Sequence, residues 1–338
     1  MKKPVRRILL ILIILIAVVA VFLLAVRMYF RLPVADYYKA SEKGFTIPGT
    51  NSGFIAQGIE YDADNQWFLV TGYMKSGENS PVYLVDRESG KHLKTILLQD
   101  DKGEAYTGHA GGLSLFPGQY LYVADGDEDC LFVYNYADIL KAKDGDTLRA
   151  AGRFSTKVSD EDCLHPAFTA VVGDQLIVGE FYRAGNYETP ASHTVKTAAG
   201  DENKALALVY KLDNTAESGI DPTPEYAYSL PGLVQGLYMD GDTVYLSTSY
   251  GPAFSHIAAY DGKKSQQEDI TVLGHTLPLY ALDSSSLIAQ KKIAPMSEEI
   301  VMVDGKLYVM CEAASDKYIF GKFTSAKWCY GTDKSFFK

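Results

Sequence analysis

"GHAGGLSLFPGQYLYVADGD", Gly108–Asp127, runs from a histidine and paired glycines into alternating apolar residues, a tight turn at Pro117 and Gly118, a second apolar run and an acidic cluster. Alternation with a period of two on both sides of a turn marks a β-hairpin. Four other stretches repeat it: "AQGIEYDADNQWFLVTGY" from Ala56, "PAFTAVVGDQLIVGEF" from Pro166, "VQGLYMDGDTVYLSTSY" from Val234 and "SEEIVMVDGKLYVMCEA" from Ser297. Five hairpins of one kind make a repeat, and the strands after each copy decide the architecture.

A third strand is expected in "SPVYLVDRESGK", "DCLFVYNYADIL", "ALALVYKLD", "LPLYALDSSS" and "KYIFGKFTS". A fourth is expected in "KHLKTILL", "TLRAAGRFS", "PEYAYSLP" and "SLIAQKKIAP". Four antiparallel strands per unit describe a propeller blade. The fifth copy runs out of chain before a fourth strand, whereas "KGFTIPG", Lys43–Gly49, resembles the end of a blade and precedes the first one. The expected fold class is therefore all-β: a β-propeller of five four-stranded blades closed by an N-terminal strand, which leaves no unpaired edge. Six blades would need a further blade between Ser249 and Leu277, where "SHIAAYDG" reads as a strand. Almost no sustained 3.6-residue amphipathic pattern is present after the apolar anchor, which argues against an α/β enzyme fold.

Ahead of the repeats, Ile8–Val26 is an unbroken run of apolar residues. As a helix it is long enough to cross a hydrocarbon layer of ~30 Å. Lys2, Lys3, Arg6 and Arg7 precede it and only Arg27 and Arg31 lie close behind it, so the basic side is expected in the cytoplasm. A cleaved signal peptide has a shorter apolar core and a small-residue cleavage site, and "VRMYFRLP" offers none. The expected organisation is a cytoplasmic basic tail (1–7), a transmembrane signal-anchor (8–26), a linker (27–42) and an extracytoplasmic propeller (43–338), held to the lipid bilayer of the plasma membrane through residues 8–26.

Beyond Arg31 the chain carries all 42 acidic residues but only 26 of the 32 basic ones, a net charge near −16. Such a surface repels nucleic acid and suits cations or neutral ligands. Cys130, Cys163, Cys311 and Cys329 permit two disulfides, with Cys311–Cys329 and Cys130–Cys163 favoured by position, or four buried thiols. No Cys/His spacing points to structural zinc.

In a propeller the loops leading into the innermost strands and those joining second to third strands meet at one pole. The first set contributes Gln57, His109, His165, Gln235, Glu298 and Glu299, the second Tyr73, Asp125, Asp127, Glu180, Tyr250 and Glu312. The expected ligand-binding residues are Gln57, Tyr73, His109, Asp125, His165, Glu180, Gln235, Tyr250 and Glu299. Aligned copies place Gly58, Gly112, Ala167 and Gly236 where Glu299 stands in the fifth, and a carboxylate there must meet water, a cation or a basic group. His109, His165 and Glu299 are the candidate metal ligands, a mixed N/O set suited to a divalent cation, with packing and simple hydrogen bonding as the competing roles. His92, His193, His256 and His275 are expected at the surface. No GxSxG elbow, P-loop or GxGxxG lead into a helix is present.

"QGIEYD", "FLVTGY", "VYLVDRESGK" and "GHAGGLSL" together resemble exported or membrane-anchored bacterial propellers that share general features with strictosidine-synthase-like and lactonase-like propellers. The resemblance covers 45–337 as a repeat pattern. It implies a central calcium held by acidic and Asn side chains, and this sequence departs from it, offering Gln, His and Glu with no Asn at a matching place. The expected function is a membrane-tethered propeller whose acidic funnel binds a cell-envelope glycan, peptide or cation. The alternative is a metal-dependent extracytoplasmic hydrolase or lyase.

Overall fold

The computed structural model describes residues 3–338, so Met1 and Lys2 of the expected basic tail lie outside the described residues. Five sheets stand around one axis. The first blade pairs Phe54–Asp62, Trp67–Met74, Pro81–Asp86 and His92–Gln99, and the second pairs Leu113–Phe116, Tyr120–Asp125, Cys130–Asn135 and Gly152–Ser155. The third is built from Pro166–Val172, Gln175–Glu180, Ala205–Leu212 and Ile220–Leu230, the fourth from Val234–Asp240, Thr243–Thr248, Ser255–Asp261 and Leu287–Ile293. The fifth takes Ser297–Val303, Lys306–Cys311 and Trp328–Asp333 from the end of the chain and Ser41–Thr46 from its beginning, with Ser41 opposite Thr332 and Thr46 opposite Trp328. The ring is thus closed by the strand expected to close it.

Three strand assignments differ from the sequence reading. "KYIFGKFTS" is a loop with a helical turn at Gly321–Thr324, and the third strand of the fifth blade is Trp328–Asp333. "SHIAAYDG" is no sixth blade but the third strand of the fourth, while Leu279–Ala281 adds a parallel fifth strand to the third blade. "TLRAAGRFS" splits at Ala150: Thr147–Arg149 runs parallel to the outer strand of the first blade and Gly152–Ser155 closes the second.

Near the axis the blades approach so closely that side chains must shrink. A Cβ on Gly112 would lie 2.5 Å from the amide nitrogen of Thr169, and one on Gly236 would lie 2.6 Å from the Cα of Glu299. Glycine removes both clashes. Glu299 itself is buried, and its carboxylate accepts backbone N–H groups from the innermost strands of three other blades: Ile59 at 2.8 Å, Leu113 at 3.0 Å and Thr169 at 3.0 Å. Glu60 does the same between neighbours, accepting the N–H of Leu115 at 3.1 Å and of Tyr61 at 2.7 Å. These donors point across the axis and have no strand to bond, so carboxylates supply what the ladders cannot.

The N-terminal helix Lys3–Arg31 is long and apolar enough to cross a membrane, and a short 3-10 turn, Leu32–Val34, carries it on to Ala35–Ala40. Most of the expected linker, 27–42, is thus helical. Phe30, Val34 and Tyr37 are buried, Tyr37 packs on Tyr330 and Phe336, and Arg31 donates to Ser325 Oγ at 2.5 Å with its guanidinium 3.8 Å from the Tyr38 ring centre.

These buried carboxylates have two measurable effects on stability. Glu299→Ala leaves three buried N–H donors unsatisfied at about 1–3 kcal/mol each, so thermal unfolding of the full chain should fall steeply, and further than for Glu299→Gln, which keeps one acceptor; equal, small shifts would show the axis needs no pin. Burial pushes Glu60 up from 4.5 to about 8, so the folded chain holds a proton that the unfolded chain releases. Stability should then decline as pH rises between those values and level off above them, with a shallower decline in Glu60→Gln, read as the melting temperature against pH.

Candidate functional site

At the pole where chains enter the innermost strands, a cavity of about 920 Å³ opens between the blades. Its floor is made by a recurring backbone irregularity. The pairing of first and second strands slips between Ala56 and Gly58, between Val234 and Gly236, and between Ser297 and Ile300, and each slip is a β-bulge that turns an extra residue toward the axis. Gln57, Gln235 and Glu298 reach the cavity this way. His109 and His165 line it from the lead-in segments of the second and third blades, and Tyr73 and Tyr250 from loops joining second to third strands. Six of the nine expected ligand-binding residues thus share one funnel.

The other three lie beneath it with their oxygens committed to the scaffold. Glu299 holds three blades together. Glu180, fully buried, accepts the N–H of Leu206 at 3.0 Å, faces His193 Nδ1 at 2.8 Å and accepts the N–H of His165 at 3.3 Å. Asp125 caps its own turn, accepting the N–H groups of Asp127 and Glu128 at 2.9 and 3.0 Å. His193, expected at the surface, is instead 1% exposed because Glu180 requires a buried donor.

The electrostatic centre of the funnel is a pair of acids that the sequence places at the pole but that lie outside the expected binding set. Glu298 is 2% exposed, lines the cavity, and among the described residues has neither a hydrogen-bond donor nor a cation as partner. Burial drives its carboxyl well above the usual range, reinforced by Glu312 and Glu299. Glu312 is also raised by burial, against the pull of Tyr318, whose hydroxyl donates to it at 2.7 Å, and of Lys317. Tyr73 joins the group: its hydroxyl stands 3.4 Å from Glu312, accepts from Lys317 Nζ at 2.8 Å, and its ring lies 4.4 Å from that of His109. Lys317 and Tyr318 escape the sequence reading because their segment has the composition of a strand. Phe181, Tyr187 and Glu188, from the long loop after Glu180, complete one wall.

The expected metal set does not gather. Among the described residues, the His, Cys, Asp and Glu ligand atoms that do converge, within 4.8 Å of one another, belong to Asp129, Cys163 and His165. His165 stands between the others, with Nδ1 2.5 Å from Asp129 and Nε2 3.8 Å from the Cys163 sulfur. Lys157 already pairs with the second Asp129 oxygen at 3.2 Å, and burial pushes the Cys163 thiol up, away from the thiolate a soft cation needs.

No known protein family and no curated protein matches this sequence. Among solved structures, hydrazine synthase of Kuenenia stuttgartiensis matches over 78% of this chain and 58% of its own, at 12% identity and a TM-score of 0.37. A chain of a nidogen/laminin complex matches over 77% and 73%, at 10% identity and 0.41. BamB from Moraxella catarrhalis matches over 76% and 82%, at 11% identity and 0.30. The chain thus spans less than two thirds of the length of the hydrazine synthase chain. The propeller assignment rests on the strand pairing of the five blades, and the comparisons give no specific link to strictosidine-synthase-like or lactonase-like propellers.

All four cysteines are free and buried. Cys329 shares a cluster with Met310, while Cys311 packs in another with Met296 and Ala326, so the two sulfurs point to opposite faces of the blade. Thiol titration of the native chain without reductant should find no rapidly reacting group, and titration after unfolding should find four; two or none would mean that disulfides form.

Proposed function

We propose that the chain is a membrane-tethered, extracytoplasmic binding propeller whose funnel takes an ammonium-bearing ligand of the cell envelope, an amino sugar or the amino group of a peptide. Glu298 carries the reading. An acid that is buried at the floor of an open cavity, without a partner and beside a second acid, costs the fold several kcal/mol. Folds keep such groups where a ligand completes them. An ammonium group would pair with Glu298 and Glu312 together, while the Gln57 and Gln235 amides suit hydroxyls or a peptide.

Tethering through Ile8–Val26, with the basic N-terminal flank in the cytoplasm, places the propeller where such ligands occur. The acidic surface disfavours nucleic acid. The metal-dependent hydrolase reading stands second. It would rest on Asp129, Cys163 and His165 rather than on His109, His165 and Glu299, and Lys157 opposes it by neutralising Asp129.

Titration calorimetry of the full chain in detergent, with ethanolamine and glucosamine set against ethylene glycol and glucose, tests the proposal. The amines should bind and the neutral analogues should not, Glu298→Gln should weaken binding roughly tenfold or more, and the affinity for ethanolamine should grow with rising pH as the raised carboxyls ionise while the amine stays charged. Equal binding of the neutral analogues, or an unchanged Glu298→Gln variant, would remove the ammonium site.

A further inference from the structure

We infer that the funnel opens onto the bilayer and that its ammonium ligand is lipid-borne: a zwitterionic headgroup with an amine a few atoms from a phosphate. This rests on the proposed ammonium-binding funnel and adds the ligand's source. The first observation is where the helix leaves the propeller. Phe30 stacks on Phe320 at 5.5 Å and meets Phe254 at 6.5 Å. Phe254 and Phe320 sit in the loops between second and third strands of the fourth and fifth blades, the same loops that give the cavity Tyr250, Lys317 and Tyr318.

From that rim the chain descends between blades in order. Arg31 meets Ser325, Tyr38 meets Thr324 and Tyr330, Tyr37 meets Phe336 beyond the third strand, and Ser41 pairs with Thr332 at the far pole. The path is helical almost throughout, broken at Val34 (φ −124°, ψ 25°), and the part before Arg31 leaves the propeller from the funnel pole, where Phe30 meets Phe254 and Phe320. The apolar residues from Val5 to Leu24 are correspondingly exposed. Phe30 lies four helical steps beyond Val26, about 6 Å. A membrane around Ile8–Val26 therefore lies directly before the mouth.

The second observation is charge placement. Lys317 Nζ and a Glu312 oxygen share the Tyr73 hydroxyl, at 2.8 and 3.4 Å, so a cation and an acid stand side by side at the wall above Glu298. The Arg183 guanidinium lies 3.9 Å from the Tyr250 ring centre at the rim. An ammonium directed to the acids leaves the phosphate beside Lys317, which a headgroup hanging from the bilayer satisfies with its phosphate nearer the membrane.

The full chain in lipid nanodiscs tests both parts. Ile319 (75% exposed, funnel pole) and Ile288 (50% exposed, far pole) are replaced singly by cysteine and labelled with a fluorophore. Headgroup spin-labelled lipid should quench Ile319→Cys about threefold more than Ile288→Cys, since contact quenching requires the label to reach the bilayer surface; equal or reversed quenching overturns the orientation. Ethanolamine is then titrated into discs of phosphatidylglycerol with and without phosphatidylethanolamine. Competition should weaken its apparent affinity about fivefold or more when phosphatidylethanolamine is present, and Lys317→Ala should reduce the ratio between the two discs' affinities, whatever it does to either affinity alone. Undiminished ethanolamine binding beside phosphatidylethanolamine overturns the lipid source and leaves the ammonium site standing; no ethanolamine binding in either disc overturns the funnel reading itself.

Discussion

Five innermost strands converging on one axis bring backbone N–H groups face to face with no ladder to satisfy them, and the fold depends on how that deficit is met. Glu299 meets it by accepting from Ile59, Leu113 and Thr169, one residue from each of three other blades. A side-chain carboxylate offers two oxygens and about four lone-pair directions, enough for three donors at once, which no neutral side chain of similar size can match. The glycines on the neighbouring strands let the backbones come near enough for those bonds. Removing bulk in the other blades and adding a carboxylate in the fifth are two halves of one solution.

Closure of the ring and attachment of the N-terminal helix are likewise one structural event. Ser41–Thr46 completes the fifth blade, and the residues just before it, Val34 and Tyr37, belong to the apolar cluster shared with Tyr245, Ile257, Leu307 and Tyr330 of the fourth and fifth blades. The helix therefore emerges from a seam fastened on one side by strand pairing and on the other by buried aromatics. The helix and the propeller are thus joined by two separate sets of contacts, strand pairing and aromatic packing.

Much of the architecture is legible in the residues. The five hairpins, their turns and the closing strand emerge from alternation and from counting strands, because those signals are local. Pole geometry then identifies Gln57, Tyr73, His109, His165, Gln235 and Tyr250 as neighbours. The misread segments are also local. "KYIFGKFTS" has the aromatic and β-branched residues of a strand, yet it folds as a loop with a tight helical turn in which a Cβ on Gly321 would fall 1.7 Å from the Ala313 carbonyl oxygen. "SHIAAYDG" gives a weak signal because alanines dilute its alternation. The roles of Asp125, Glu180 and Glu299 are hidden for another reason: their partners are mostly main-chain amides, which leave no trace in side-chain identity.

The adjacent glutamates show how one backbone feature separates scaffold from site. In a regular strand consecutive residues face opposite sides, so Glu298 and Glu299 would point away from each other. The slip between Ser297 and Ile300 brings both toward the axis at different depths. Glu299 lies where three amides meet and is consumed by them, whereas Glu298, one residue nearer the mouth, reaches the cavity after every donor has been used. Their charges also oppose each other, which helps drive the carboxyl of Glu298 upward and makes a cation from outside the more welcome. The residue that secures the ring thereby sharpens the demand that its neighbour places on a ligand.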